Sequence, residues 1–304
     1  MTDFQITILG SNSAISNHGR HPTAQLVSMH QLQFLVDCGE GTQERLHENK
    51  IKWFKIDYIF ISHLHGDHYF GLIGLLTTFN LLKRTAPLTI FAPKDLKKII
   101  SMQLKASNTS LNYLIKFVST LDDEKRLLLD LPECEVYSFP LKHKIPTTGF
   151  LFVEKAEPRL LDLQKLEKYN IAKSDYKLLK QGFDVKDKNG KKIKNSLLTT
   201  KGKPPRSYAF CSDTMYNLPM VKIIKNVDLL YHEATFLNEH LQRANETKHS
   251  TALQAAQIAK KANAKKLLLG HFSSRYLDLS VLQDEAQTIF KNVELAIEGE
   301  VFKV

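Results

Sequence analysis

The residues best suited to chemistry concentrate in Ser62-His63-Leu64-His65-Gly66-Asp67-His68, where three imidazoles and a carboxylate fall close together. A lone histidine beside an apolar run is most often a satisfied core or surface residue. Three at this spacing, with an aspartate among them, offer the ligand chemistry of zinc and related borderline cations, whose catalytic sites keep a position open for water. Further candidates are scattered along the chain: His143, Ser212 and Asp213, Glu233, His249, and His271 with Ser273 and Arg275 behind it. His63, His65, Asp67, His68, His143, Asp213 and His271 are too many ligands for one tetrahedral ion and about right for two. Two cations sharing one carboxylate lower the pKa of a water between them and clamp both oxygens of a displacement.

Side chains so far apart in sequence need strands to bring them together. Apolar, β-branched runs between polar breaks predict strands over 4–9, 32–37, 58–61, 88–91, 115–118, 134–139, 207–211, 227–231, 266–269 and 293–297. Helical stretches are predicted over 43–49, 69–83, 94–105, 160–169, 252–262 and 280–291, with Ser250 or Thr251 as a cap for the fifth. The alternation indicates a layered α/β architecture. Every candidate ligand then stands at the exit of a strand, where such folds present their sites. Gly39-Glu40-Gly41 is too short for a nucleotide loop and reads as a turn.

The 304 residues suffice for a sizeable core, and 43% hydrophobic with 24% charged residues is ordinary for a globular protein. The N-terminus lacks a basic region followed by an apolar core, and no apolar run approaches the roughly 20 residues of a membrane helix. A soluble, cytoplasmic protein without a membrane partner is expected. Cys38, Cys134 and Cys211 form no CxxC pair and read as reduced packing residues.

The charge is concentrated. Residues 159–206 hold fourteen Lys or Arg against five Asp or Glu, nearly the whole net charge of +10. A lysine-rich stretch is usually a solvated face, but an insertion carrying the charge of the whole chain points to a polyanionic partner. We read 159–206 as a basic arm inserted in a single domain spanning 1–304, with an Asn189-Gly190 hairpin turn. Lys173, Lys177, Lys180, Lys188, Lys191 and Lys192 are its candidate contacts to such a partner.

The His63-Leu64-His65-Gly66-Asp67-His68 motif, with His143, Ser212-Asp213-Thr214 and His271, resembles the metallo-β-lactamase superfamily. Within it, Asp37-Cys38-Gly39-Glu40-Gly41-Thr42-Gln43, His232-Glu233-Ala234-Thr235, His249-Ser250-Thr251 and His271-Phe272-Ser273-Ser274-Arg275-Tyr276 resemble the ribonuclease Z family of tRNA 3′-processing endonucleases. The resemblance implies a four-layer αββα sandwich of α/β class with two Zn2+ per subunit. It implies that His63, His65 and His143 hold one zinc, that Asp67, His68 and His271 hold the other, and that Asp213 bridges them. It further implies that Asp67 orients or deprotonates the nucleophile and that His249, oriented by Glu233, protonates the leaving 3′ oxygen or binds the scissile phosphate. Ser212, Ser273 and Arg275 are weaker candidates for phosphate contacts.

The implied substrate is precursor tRNA, gripped by the arm, and the implied assembly is a homodimer in which one subunit's arm serves the other's site. Two stretches depart from the family pattern. Ile171-Ala172-Lys173-Ser174-Asp175-Tyr176 lacks the Gly-Pro pair often found in the arm, and Ile15-Ser16-Asn17-His18-Gly19-Arg20-His21 stands where the family often has Pro-x-Lys-x-Arg-Asn. The alternative reading is a two-zinc hydrolase of small esters or phosphodiesters on the same fold. An RNA-binding protein with a structural metal is a third, disfavoured because structural zinc sites are closed and four-coordinate.

Overall fold

In a computed structural model, which describes residues 4–304, the chain first lays down β1 (Phe4–Gly10), β2 (Ala24–Met29), β3 (Leu32–Val36), β4 (Ile56–Phe60), β5 (Leu88–Ala92) and β6 (Ile115–Ser119), hydrogen-bonded in that order. The first three are antiparallel, and β3 to β6 run parallel. β7 (Arg126–Asp130), β8 (Cys134–Leu141) and β9 (Thr147–Glu154) open a second sheet. After four short strands, β10 (Leu160–Leu161), β11 (Val185–Lys186), β12 (Lys192–Ile193) and β13 (Thr199–Thr200), this sheet continues through β14 (Ser207–Cys211), β15 (Leu229–Glu233), β16 (Lys266–Gly270) and β17 (Val293–Leu295). β18 (Val301–Lys303) returns to pair antiparallel with β1.

Side-chain alternation explains the layering. One face of each sheet contributes Phe4, Ile6, Ile8, Phe34, Phe60 and Phe91, or Phe150, Phe152, Tyr208, Phe210 and Tyr231, to a shared aromatic core. Phe34 meets Phe152 at 5.5 Å between centroids and Phe60 meets Phe150 at 5.3 Å, so large rings interlock across the sandwich. The opposite face of the first sheet, through Leu35, Ile59, Ile61 and Ile90, packs on helices α1 (Thr42–Glu48), α3 (Leu72–Leu81) and α4 (Leu96–Ala106); the four-residue α2 (Gly66–Tyr69) precedes α3. Three short helices, α5 (Leu163–Lys168), α6 (Tyr176–Lys180) and α7 (Asn195–Leu198), lie between β10 and β13 in sequence. The outer face of the second sheet, through Ala209, Leu230, Leu267 and Leu269, packs on α9 (Ala252–Ala262) and α10 (Ser280–Gln287), and α8 (Leu241–Thr247) leads into α9. The result is the expected αββα sandwich.

Residues 154–205 form a compact unit of their own, distinct from the unit made by the rest of the chain. Its core is small: Leu166, Ile171, Leu179, Val185, Ile193 and Leu198. Buried Asn195 supports it, donating to the carbonyls of Leu179 and Phe183 and accepting from the Thr199 hydroxyl. Asn189-Gly190 makes the turn between β11 and β12, with Gly190 at φ 80°.

Several elements differ from the sequence expectation. The helix predicted over 69–83 is broken before Gly71, because the Gly71 amide donates to the Cys38 carbonyl and a Cβ there would stand 2.2 Å from the Gly39 oxygen. The helix predicted from residue 160 starts at Leu163, since the Asp162 carboxylate caps it by accepting from the Lys165 amide. β2 and β9 were not foreseen: nearly every residue of both is buried, so neither shows the polar alternation of a half-exposed strand. β7, an edge strand whose three leucines stand between charged residues and stay partly exposed, and the three-residue β18 are also absent from the sequence expectation.

Arg84 ties the end of α3 to the sheet beneath. Its guanidinium donates to the carbonyls of Ile56, Ala86 and Pro87 and to Asp57 Oδ1, and lies 5.3 Å from the Phe79 ring centroid. Arg84→Ala is expected to cost about 3 kcal/mol in denaturant unfolding, since it strips charged donors from largely buried carbonyls. Arg84→Lys recovers little of it, a compact ammonium being unable to serve so many acceptors at once.

Candidate active site

β4 ends at Phe60, and the next residues turn sharply because Asp37, at the exit of the neighbouring β3, captures them. Its carboxylate accepts from the Ser62 amide at 2.7 Å, the Ser62 hydroxyl at 2.9 Å and His68 Nδ1 at 2.7 Å. Asp37 adopts φ 55°, a left-handed conformation that aspartate tolerates better than most residues. Sequence reading placed Asp37 at the end of a strand and at the head of a family motif, without a role in the site. An aspartate at a strand exit next to the strand that carries the histidines was the available signal.

The candidate ligands converge in two groups that share Asp213. His63, His65, His143 and Asp213 form one, and Asp67, His68 and His271 the other, with Asp213 also grouped with His249 and His271. Asp213 turns Oδ2 to His63 and His143, each Nε2 at 3.5 Å, and Oδ1 to His68 and His271, each Nε2 at 3.1 Å. His65 offers Nδ1, 3.0 Å from His63 Nε2 and 3.2 Å from His143 Nε2. Asp67 Oδ2 lies 3.5 Å from His68 Nε2 and 3.6 Å from His271 Nε2, and accepts from the Ala14 amide.

The far side of the rings fixes which nitrogen carries a proton. His143 Nδ1 faces the Lys248 carbonyl at 2.9 Å and His68 Nδ1 faces Asp37, so both are donors there. Ser62 Oγ donates to Asp37 and therefore accepts from His63 Nδ1; Thr235 Oγ1 donates to Glu233 and accepts from His271 Nδ1. In the neutral, ligating form of these four histidines the Nε2 lone pairs point at one another and at carboxylate oxygens. His68 Nε2 and His271 Nε2 are buried with no hydrogen-bond partner. Lone pairs packed this way repel unless positive charge sits between them, which is the fit expected of metal ions with their outer partners in place.

Electrostatics agree. Burial pushes His63, His65 and His143 below the ordinary histidine range, toward the neutral ligand form. Burial opposes charge on His68 too, but Asp213, Asp67 and Asp37 outweigh it and hold the ring well above its usual value. The second group thus calls for a cation.

Beside the clusters stands a separate pair. Glu233, fully buried at the end of β15, accepts from His249 Nδ1 at 2.9 Å, the Thr214 amide at 2.6 Å, the Thr235 hydroxyl at 2.6 Å and the Ser250 amide at 3.1 Å. Burial raises such a carboxylate, yet His249, aided by His271, keeps it below its ordinary value. In return, Glu233 overcomes the burial of His249 and lifts its imidazole to about 9. Thr251, next but one to His249, caps α9 through a reciprocal pair with Gln254, so the helix start fixes the histidine's backbone.

A cavity of about 670 Å³ opens over these groups, lined among others by His65, Asp67, His143, His249, Ser273 and Arg275. Ser212 is a correction: it is fully buried and its hydroxyl donates to Asp213 Oδ1, so it orients that carboxylate and does not reach the cavity. Ser273 and Arg275 do, the Arg275 Nε donating to Ser273 Oγ at 3.3 Å. The lysines Lys173, Lys177, Lys180, Lys188, Lys191 and Lys192 are all exposed on the 154–205 unit, with Lys192 paired to Asp184 at 3.1 Å.

The chain is 46% identical to the ribonuclease Z of Cytophaga hutchinsonii, over 99% of this chain and 96% of that one. The chain belongs to the ribonuclease Z family. Human tRNase Z, short form, superposes with a TM-score of 0.71 at 29% identity, covering 98% of both chains. A metallo-β-lactamase fold protein of Bacillus subtilis, 19% identical, matches the fold with the same TM-score over 99% of this chain and all of that one. Residues 4–155 also match the family model described as Anti-Pycsar protein Apyc1. Ribonuclease Z membership and the αββα sandwich agree with the motif reading.

Asp37→Asn leaves the His68 ring without its anionic partner. It is expected to weaken metal retention about 10- to 100-fold in a chelator competition, with unchanged far-UV circular dichroism.

Proposed function

We propose that this ribonuclease Z-family chain is a metal-dependent endoribonuclease that removes the 3′ trailer from precursor tRNA and leaves a 3′ hydroxyl on the tRNA. The carrying observation is the Glu233–His249 pair beside two ligand groups that share Asp213. A purely structural metal would need neither the open cavity nor a charged histidine on its edge.

His63, His65 and His143 would hold one Zn2+ and Asp67, His68 and His271 the other, with Asp213 between them. Imidazole and carboxylate donors suit zinc. Bound there, the two cations would supply a nucleophile at neutral pH and neutralise charge on the phosphate. Asp67, anchored by the Ala14 amide, takes up the proton of the attacking water or holds it in line. As the bond from phosphorus to the 3′ oxygen breaks, His249 delivers its proton to that oxygen, and Glu233 stabilises the charged ring beforehand. Arg275 and Ser273 steady the phosphate. The trailer departs with a 5′ phosphate.

Residues 159–206 act as the arm that grips the body of the tRNA through its phosphates, with the six exposed lysines as contacts. A homodimer, one subunit's arm serving the partner's site, belongs to the same reading and is supported by family membership. No helix among the described residues is long and apolar enough to cross a membrane. A cytoplasmic location follows from the proposed substrate.

Incubation with a precursor tRNA, followed by mapping of the product 3′ end, tests this directly. Chelation or His65→Ala should abolish cleavage, and His249→Ala should slow it by about 10²- to 10⁴-fold, with the fold retained in each. Undiminished cleavage by His65→Ala protein would sink the proposal. Replacing residues 155–204 by a short turn should cut precursor tRNA turnover on the order of 100-fold at moderate salt, while turnover of a small phosphodiester persists. Equal loss on both substrates would remove the arm from RNA recognition.

A further inference from the structure

Two aromatic rings line the cavity, and the hydrolytic scheme uses neither. Phe236 is buried, with the Arg275 guanidinium 5.0 Å from its centroid, and serves as a floor for that arginine. Phe70 is different. It is 62% exposed although it follows directly on the ligand-bearing turn.

The ring lies against the turn that carries the candidate ligands. A Cβ on Gly66 would stand 2.2 Å from Phe70 Cε2 and 2.5 Å from Cζ, so only the missing side chain of Gly66 lets the ring lie against the backbone between His65 and Asp67. Tyr69 packs on it edge to face at 5.1 Å. The backbone is pinned on both sides, the Phe70 amide donating to the Gly66 carbonyl at 2.9 Å and the Gly71 amide to the Cys38 carbonyl at 3.0 Å. Leaving a large ring in water gives up the burial that stabilises such side chains elsewhere. The same cavity is lined by Lys144, Arg243 and Arg275. A solvent-facing ring beside cations is the combination that grips single-stranded nucleic acid, bases stacking on the ring while cations follow the phosphates. At about 670 Å³ the cavity lies within the ~300–1,000 Å³ range of ligand pockets, enough for a phosphate and its nearest nucleotides but not for a duplex.

We propose that Phe70 is a stacking platform for the base of a nucleotide flanking the scissile phosphate, a positioning residue that sets which phosphodiester lies over the ligand groups. This rests on the endoribonuclease reading. Because every base has a π-face, the platform contributes register and affinity with little sequence preference.

The test uses the full-length, zinc-loaded enzyme with Phe70→Leu and Phe70→Trp, on precursor tRNAs that are intact or abasic at either nucleotide flanking the cut. Phe70→Leu should lower kcat/KM about tenfold on the intact substrate, mainly through KM, and Phe70→Trp should restore it. On the substrate lacking the stacked base, wild type and Phe70→Leu should converge. An unchanged kcat/KM for Phe70→Leu, or an equal loss on intact and both abasic substrates, overturns the inference. So does a change of oligomeric mass by light scattering without a change in KM, since the ring would then belong to a subunit contact. If wild type fails to cut precursor tRNA at all, the functional reading falls, and this inference falls with it.

Discussion

The Asp213 carboxylate is the constraint around which the site closes. It is fully buried, and its two oxygens face four imidazole nitrogens. An isolated carboxylate in that place would be severely penalised by lost hydration. The surrounding histidines reverse the penalty and keep it ionised despite burial. The ordered outer partners follow from this. Ser212 holds one oxygen of Asp213, Asp37 and Ser62 hold His68 and His63, and Thr235 holds His271. Without them the lone pairs would have no reason to converge.

The sandwich makes that convergence possible because each sheet sends its ligands from one end of its strands. β4 supplies the His63 to His68 turn from one sheet; β8, β14 and β16 deliver His143, Asp213 and His271 from the other. The aromatic layer between the sheets sets their spacing. Backbone conformation adds a local adjustment: Asp37, Lys248 and His271 all take left-handed φ values of 55°, 61° and 56° where side chain or carbonyl must be aimed at the cluster. Positions of this kind concentrate where function over-determines the backbone.

Most of the histidines and aspartates that converge here were legible in the sequence because they travel with strand ends, and strand ends are marked by apolar runs giving way to polar residues. The helix over Ala252–Ala262 was legible to the residue, since Thr251 and Gln254 carry a local cap signal. What escaped was set by tertiary contact. The break before Gly71 depends on a carbonyl more than thirty residues earlier in the chain, and β9 is covered on both faces, which erases the period of two. Asp37 escaped for the same reason: its partner His68 is 31 residues away. Ser212 looked like a phosphate contact because motif position says which residues are near the site, not which way they point.

β9 and β14 are antiparallel neighbours, with Val153 opposite Ser207. The chain therefore leaves the second sheet and returns to it where a tight hairpin turn would serve as well. An insertion at such a place adds little loop-closure entropy as it lengthens, and residues 154–205 carry their own small core. The insertion can accordingly be lengthened or shortened without disturbing the strands that carry the candidate ligands. The geometry of the converging histidines and aspartates is thus independent of the length of the insertion.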